Sequence, residues 1–283
     1  YCTRMLGMPH HWSELPRPFY SDWSPRLRGA AQALWHWHLS LLEIQPPSHN
    51  GVGAAFGDVF EADQQHALHG EPVRLLREPV WQAAYTACEE HELSFKLLAD
   101  QIGAAQTLLG PVRFDDGASL KTFVRRWALS HTRLLAALAD ANHTWQIEPV
   151  EELGRGFFFV GRLMTLADDL QRDQLFIPLN DLEQAGVEVP QLKAADLDDS
   201  VRRLLWKQAI RARDALGQGQ RLIGELPRLR RFALKRWWHG ALEILNEIER
   251  RDFDVWSQQP GLSLFRRMQV NLQALFGKAA RRS

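Results

Sequence analysis

A helix-length stretch in the middle of the chain, residues 157–167, is apolar on almost every side. It lies within a longer segment, residues 149–172, whose apolar positions recur with helical spacing. A helix without a polar face is stable only when other elements surround it. The sequence therefore predicts a helix that is buried at the centre of a bundle.

Helical spacing also runs through most of the remaining chain, and Ser, Pro and Gly mark where each helix should begin or end. Ser24 and Ser94 are the expected caps of two of these helices. We predict helices over residues 25–43, 54–69, 95–109, 119–138, 197–224, 227–250 and 263–283, one more that begins at Pro79, and an irregular stretch at 173–195 with a short helix near Leu182. Because no run alternates apolar and polar residues between turns, we expect one all-α domain over residues 1–283.

Composition excludes several classes of protein. The 34 Lys and Arg residues balance the 34 Asp and Glu residues, so the charge gives no support for binding nucleic acid. Two cysteines are too few for a disulfide framework, and we therefore expect a cytoplasmic protein. No uncharged apolar run reaches the roughly 18 residues of a membrane span. Residues 1–4 include no signal-peptide core, and we expect them to be a trimmed end.

The segment that follows the buried helix carries the strongest chemical signal. It contains Asp168, Asp169, Arg172 and Asp173 and continues into Phe-Ile-Pro-Leu at residues 176–179. Carboxylates at the end of a buried helix are costly unless they meet a metal ion or a cationic side chain. Two interpretations stay open on this pattern: a metal site, or a solvated helix end with an ion pair to Arg172.

Histidines and tryptophans give weaker signals. Asp63, His66 and His69 share one helical face, which is more typical of a solvated surface than of a metal site. His36 and His38 lie about 200° apart around a helix and cannot share a metal ion. The eleven tryptophans lie mostly on apolar stripes, so we interpret them first as packing residues.

Residues 161–182 resemble the second aspartate-rich motif of the squalene/phytoene synthase family, Asp-x-x-x-Asp-x-x-Arg-Gly-Arg-x-Tyr-Leu-Pro. Residues 78–84, 123–135 and 226–256 resemble other helices of the same family. The order and spacing of these pieces make the resemblance specific over nearly the whole chain. The match at residues 123–135 is closest to the branch that makes hydroxysqualene in hopanoid pathways.

The resemblance implies an all-α, isoprenoid-synthase-type helical bundle whose central apolar cavity holds farnesyl or geranylgeranyl diphosphate. In that family, two facing aspartate-rich helices bind Mg²⁺, which neutralises the departing diphosphate. By this resemblance the substrate-binding residues are Phe123, Arg126, Arg133, Phe158 and Arg172. The metal ligands by the same resemblance are Asp168, Asp169, Asp173 and Glu43. Each of the three arginines has an ordinary ion pair as its alternative role.

The chain departs from the family pattern where Mg²⁺ would bind. The first aspartate-rich motif should end the first helix, but that place contains a single carboxylate, Glu43. In the second motif, Thr165 stands at the first aspartate position, while Asp169 and Arg172 are retained. Phenylalanines replace two tyrosines of the family pattern. Most of the ligands that the family uses for Mg²⁺ are therefore missing from this sequence.

Two hypotheses follow from these departures. The first is a protein that keeps the fold, has lost or greatly weakened head-to-head condensation, and binds an isoprenoid chain or a protein partner. The second is an active Mg²⁺-dependent enzyme that condenses or hydrolyses farnesyl or geranylgeranyl diphosphate. Mg²⁺ is the expected cofactor only under the second hypothesis. The small number of carboxylates favours the first.

The C-terminal segment combines apolar and basic residues. Its apolar positions recur with helical spacing, and they are Leu262, Leu264, Phe265, Met268, Leu272, Leu275 and Phe276. We expect the apolar face of residues 262–272 to complete the bundle. The basic run at residues 278–282 has no apolar partners, so we expect residues 276–283 to make weak contact with an anionic surface of the inner membrane.

Overall fold

The computed structural model describes residues 23–42, 53–71 and 78–276. Over these residues the α-helices in chain order are α1 (Pro25–Ser40), α2 (Gly53–Leu68), α3 (Glu78–Glu90), α4 (Phe95–Ala105), α5 (Gly117–Val124), α6 (Ser130–Leu138), α7 (Thr144–Met164), α8 (Leu166–Gln171), α9 (Leu179–Ala185), α10 (Val189–Lys193), α11 (Asp199–Gly219), α12 (Arg221–Glu225), α13 (Arg228–Arg250) and α14 (Leu264–Phe276). Within the described ranges, β-structure is limited to one bridge between Val112 and Gln174. The prediction of an all-α fold is confirmed.

The central helix of the bundle is α7. Its most extensive contact is with α11, where glycines bring the two backbones close together. Gly156 faces Leu216 and Gly219 faces Leu153, in both cases without room for a larger side chain. Two clusters of buried apolar residues meet at α7, one built mainly from α1 to α6 and the other from α7 to α14. The apolar stretch at residues 157–167 thus lies where both halves of the core join.

The ends of α7 differ from the sequence prediction. The helix begins at Thr144, so that Pro149 lies inside its second turn instead of opening it. It then breaks at Thr165, whose hydroxyl oxygen lies 3.0 Å from the Gly161 carbonyl oxygen of the preceding turn. The short helix α8 follows this break. The break therefore lies just before the predicted cluster of carboxylates.

The caps of three other helices also differ from the prediction. The helix expected from Ser119 begins at Gly117, because Asp116 caps it. The Asp116 carboxylate accepts a hydrogen bond from the Ser119 backbone nitrogen at 2.8 Å, and the Asp116 nitrogen donates to the Ser119 hydroxyl at 3.3 Å. This reciprocal pair is a capping box. Ser24 and Ser94 precede α1 and α4 as expected, but their side chains make no capping hydrogen bond.

Helix α14 packs on α13 and leaves most of its apolar side chains in contact with solvent. Val270 and Ala274 are its buried residues. The exposed side chains, which together we call the α14 apolar face, are Leu264, Phe265, Met268, Leu272, Leu275 and Phe276. Within residues 262–272, Leu262 is buried as expected, but the expectation that this stretch completes the bundle is wrong for the exposed Leu264, Phe265, Met268 and Leu272. The basic run at residues 278–282 lies outside the described residues.

Candidate ligand cavity

A cavity of about 220 Å³ lies between α1, α6, α7 and α13. Helix α7 contributes side chains to its wall on successive turns, from Val150 through Gly154 and Phe157 to Arg162. At a rise of 1.5 Å per residue, this wall extends over about 18 Å. The cavity is the central apolar cavity that the sequence predicts, and its length suits an extended ligand.

Aromatic side chains make up much of the cavity wall. Trp23 and Trp35 line it from the region of α1, Trp127 from the segment between α5 and α6, and Trp237 from α13. Trp35 and Trp237 meet edge to face, with ring centroids 6.0 Å apart. These tryptophans pack in the bundle as expected, and they also present a broad apolar surface to the cavity.

Carboxylates are absent from the described part of this wall. Across the described residues, no group of three or more His, Cys, Asp and Glu side chains is arranged to hold a metal ion. Mg²⁺ requires several oxygen ligands in near-octahedral geometry. The described residues therefore do not fit the Mg²⁺ cluster that the family resemblance implies. Glu43, the remaining predicted ligand, lies outside the described residues.

Asp169 is held by neighbouring side chains of its own chain. Its Oδ2 atom accepts a hydrogen bond from the Thr165 hydroxyl at 2.8 Å, and the Arg162 guanidinium lies 3.4 Å from the carboxylate. Only 3% of the residue is exposed. Burial raises the pKa of Asp169, while the Arg162 charge and the Thr165 hydrogen bond oppose that shift. A threonine and an arginine thus satisfy this carboxylate.

The other two predicted ligands of this segment have different partners. Asp173 adopts a left-handed backbone with φ of 58°. Its carboxylate accepts hydrogen bonds from Lys193 at 2.6 Å and from Arg113 at 2.5 Å, and these partners lower its pKa. Asp168 accepts a hydrogen bond from Gln259 at 3.3 Å. The structure therefore places three different sets of partners around Asp168, Asp169 and Asp173.

The predicted substrate-binding residues lie in several places. Phe158 lines the cavity, whereas Phe123 lies behind it in a cluster of aromatic rings, 6.3 Å from the Phe158 centroid. The Arg126 guanidinium lies against the backbone of Gly103 in α4. Arg133 is exposed, 3.9 Å from a carboxylate oxygen of Glu151 on α7, and Arg172 is exposed beside α8. Their roles in binding stay predictions.

Two other arginines supply the cationic groups in the described part of the wall. The Arg162 guanidinium lies 4.8 Å from the ring centroid of Phe176, in addition to its contact with Asp169. Arg230 donates hydrogen bonds to the Ala139 carbonyl and to the Asp140 carboxylate, both at 2.6 Å. Each of these two charges therefore has an anionic partner of the same chain.

A pair of stacked histidines in the wall was not singled out by the sequence analysis. The rings of His38 and His131 stack with centroids 4.1 Å apart, and Trp127 lies 4.2 Å from His38. Burial lowers the pKa of His38 to about 4 and also lowers the pKa of His131. Both rings are therefore neutral at pH 7. The sequence contains one indication of this pair, because each histidine lies on an apolar helical stripe. His38 is four residues after Leu34, and His131 is four residues after Trp127.

Comparison with known proteins agrees with the resemblance read from the motifs. The squalene/phytoene synthase family matches residues 26–269 of this chain. Phytoene synthase from Thermus thermophilus is 26% identical over 177 residues, which make up 62% of this chain and 59% of that protein. The chloroplastic phytoene synthase of Cucumis melo is 26% identical over 120 residues, which cover 41% of this chain and 28% of that protein. The match thus spans less than two thirds of the length of either relative.

Solved structures share the fold. Squalene synthase HpnC from Alicyclobacillus acidocaldarius superposes with a TM-score of 0.73 at 19% identity, covering 89% of this chain and 93% of that chain. A dehydrosqualene synthase superposes with a TM-score of 0.76 at 16% identity, covering 91% and 89% of the two chains. Because the family match extends over most of the sequence, the chain belongs to the squalene/phytoene synthase family.

Proposed function

We propose that this protein binds an isoprenoid chain in the central cavity and that its head-to-head condensation of prenyl diphosphates is lost or greatly weakened. The observation that carries the proposal is the chemistry of the described cavity wall, which is mainly apolar and aromatic and contains no carboxylate. The names of its relatives, phytoene synthase and squalene synthase, support an isoprenoid as the ligand.

Two physical effects favour binding of the apolar chain over ionisation of its diphosphate. An apolar ligand gains about 25 cal/mol for each Å² of apolar surface that it removes from water, and a preformed cavity spares much of the cost of ordering the protein. Ionisation of a diphosphate, by contrast, requires a strong positive field at the departing group. In the described wall that field would have to come from Arg162 and Arg230, and both are already paired with carboxylates.

Incubation with farnesyl diphosphate, with and without Mg²⁺, tests the proposed loss of condensation. Pyrophosphate release and organic-soluble products are followed in the same samples. We expect no Mg²⁺-dependent release. Release with a 30-carbon product would identify an active synthase, and release with farnesol alone would identify a diphosphatase. The first result would overturn the proposed loss of condensation, and the second would show that the protein hydrolyses the diphosphate instead of only binding an isoprenoid.

Binding is tested separately with the same ligand series and a variant that fills the cavity. Ala136 lines the cavity, so Ala136→Phe should weaken binding of farnesol at least tenfold, as judged by quenching of tryptophan fluorescence. Ala118→Phe is the matched control, because Ala118 is exposed on α5. Equal binding by the two variants, or no saturable binding by the unchanged protein, would contradict a ligand in this cavity.

We also propose that the protein contacts an anionic membrane surface through α14. The α14 apolar face exposes six large apolar side chains, and Phe265 is 70% exposed. The sequence continues from this face into a basic run at residues 278–282. Apolar side chains beside cationic ones favour adsorption to anionic lipid. None of the described helices is long and apolar enough to cross a membrane.

A further inference from the structure

We propose that the head group taken by the cavity is a neutral alcohol, whose hydroxyl donates a hydrogen bond to Nε2 of His38. The inference rests on the proposed function, since it assigns the polar end of the isoprenoid that the cavity binds. Three observations support it: the tautomer of His38, the two ring nitrogens of His131 that lack hydrogen-bond partners, and the ion pairs that the two arginines of the wall already form.

The tautomer of His38 follows from its hydrogen bond with Gln101. The side-chain nitrogen of Gln101 donates to the Leu97 carbonyl at 3.0 Å, so its oxygen is the atom that faces His38. That oxygen can only accept, and it lies 2.6 Å from Nδ1 of His38. Nδ1 therefore carries the proton. In a neutral imidazole the other nitrogen, Nε2, is then a hydrogen-bond acceptor.

Nothing in the described structure uses this acceptor. His38 lies in the cavity wall, and its hydrogen bond to Gln101 is made through Nδ1. The pKa of His38 is lowered to about 4 by burial, so the ring does not become a cationic donor at pH 7. A ligand that meets Nε2 must therefore bring its own donor.

His131 adds a second polar group at the same place. Its ring stacks on His38 at 4.1 Å, it lines the cavity, and it is only 6% exposed. Neither of its ring nitrogens has a hydrogen-bond partner. A buried polar group without a partner costs about 1–3 kcal/mol. A hydroxyl both donates and accepts, so one alcohol can serve the acceptor of His38 and the N–H of His131.

An anionic head group fits these residues poorly. A diphosphate or carboxylate has only acceptors to offer, and the lone pair of Nε2 would oppose it. The cationic side chains in the described wall already have partners: Arg162 contacts Asp169 at 3.4 Å, and Arg230 contacts Asp140 at 2.6 Å. A hydrocarbon without a head group would leave the polar atoms of His38 and His131 unpaired.

The test compares three ligands of the same chain length on the unchanged protein. Farnesol, its methyl ether and farnesyl diphosphate are titrated against the full chain by quenching of tryptophan fluorescence, because Trp35 and Trp127 line the cavity. We expect farnesol to bind roughly tenfold more tightly than the ether, which cannot donate, and more tightly than the diphosphate. Equal binding of farnesol and ether, or tighter binding of the diphosphate, would overturn this inference and leave the proposed function intact. Failure of all three to bind would overturn the proposed function instead.

A variant tests whether His38 is responsible for the preference for farnesol over its methyl ether. His38→Phe keeps an aromatic ring and removes the acceptor, so the preference for farnesol over the ether should fall to about one. His36→Phe is the matched control, since His36 lies on the exposed side of the same helix. A His38→Phe protein that still prefers farnesol as strongly as the unchanged protein would refute the assignment. If circular dichroism shows that this variant does not fold, the comparison of farnesol with its ether on the unchanged protein decides.

Discussion

Asp169 and Arg162 form an ion pair at 3.4 Å across the break between α7 and α8. The carboxylate is almost fully buried, and the Thr165 hydroxyl donates a further hydrogen bond to it. A buried charge can be balanced by a metal ion or by a cationic side chain. Here the protein supplies its own cation, so removal of Asp169 would leave the Arg162 charge without this partner.

Replacing Asp169 should therefore destabilise the fold. Asp169→Ala leaves the partly buried Arg162 guanidinium without its partner, and we expect the free energy of unfolding in urea to fall by about 3 kcal/mol. Asp168→Ala is the control, because Asp168 is less buried and accepts one hydrogen bond at 3.3 Å. The free energy of unfolding of Asp168→Ala should fall by less than about 1 kcal/mol. Equal losses in the two variants would show that the ion pair adds nothing.

The histidine pair predicts a pH dependence of stability. Burial lowers the pKa of His38 from 6.5 to about 4 in the folded state, and the pKa of His131 is lowered as well. Between about pH 4 and pH 6.5, His38 therefore binds more protons in the unfolded chain than in the folded one. The free energy of unfolding should rise as pH increases through this range. The Arg162 charge near His38 acts in the same direction.

Urea unfolding at pH 5 and pH 7 checks this sign. The loss of stability at pH 5 should be smaller in His38→Phe than in the unchanged protein, because the variant has one fewer group to protonate on unfolding. His36→Phe should keep the full dependence, since His36 is exposed. If the unchanged protein and His38→Phe lose the same stability at pH 5, the neutral state of His38 is not responsible.

The sequence was sufficient to predict the central helix and the all-α fold, because both depend on local periodicity. The apolar run at residues 157–167 is interrupted by a single charged residue, Arg162, and it lies at the junction of the two halves of the core. The predicted helix ends were less accurate where more than one residue could serve as the N-cap. Asp116 and Ser119 are both good capping residues, and only the folded backbone shows that Asp116 is the cap.

The polar contacts of the cavity could not be predicted in the same way. His38 meets Gln101 over 63 residues of sequence, and Arg113 meets Asp173 over 60. No periodic pattern connects such distant positions. A histidine on an apolar stripe has the same sequence signal whether it only packs or also binds a ligand. The different partners of Asp169 and Asp173 likewise come from parts of the chain that the local pattern does not connect.

The close packing of α7 against α11 gives a prediction about stability that is independent of any ligand. A Cβ atom at Gly219 would lie 2.8 Å from the backbone nitrogen of Leu153, so one helix must move. Gly219→Ala should lower the free energy of unfolding by about 1–3 kcal/mol. Gly217→Ala is the control on the same helix, because nothing lies within 4 Å of its Cβ. It should be neutral or stabilising by up to about 1 kcal/mol. A Gly219→Ala protein as stable as the control would show that α7 and α11 can separate at little cost.

The α14 apolar face predicts adsorption to anionic lipid. Phe265 and Met268 are 70% and 61% exposed, so the double substitution of both by Ser should leave the core intact and weaken sedimentation with phosphatidylserine vesicles at low salt. A chain that ends at Phe276 should also bind more weakly, since each basic residue near the membrane contributes about 1 kcal/mol. Raised salt should weaken the binding of the unchanged protein, because screening reduces this attraction.

Trp206→Ser provides the control for removal of an exposed aromatic side chain. Trp206 is 54% exposed on α11 and lies outside the α14 apolar face, so its loss should leave sedimentation unchanged. Binding of all variants to the same extent, or no binding of the unchanged protein at low salt, would contradict the membrane proposal. Light scattering tests the alternative that the α14 apolar face joins two copies of this chain. If the unchanged protein is a dimer and the Phe265 and Met268 double variant is a monomer, the face joins two copies of this chain and the membrane proposal fails.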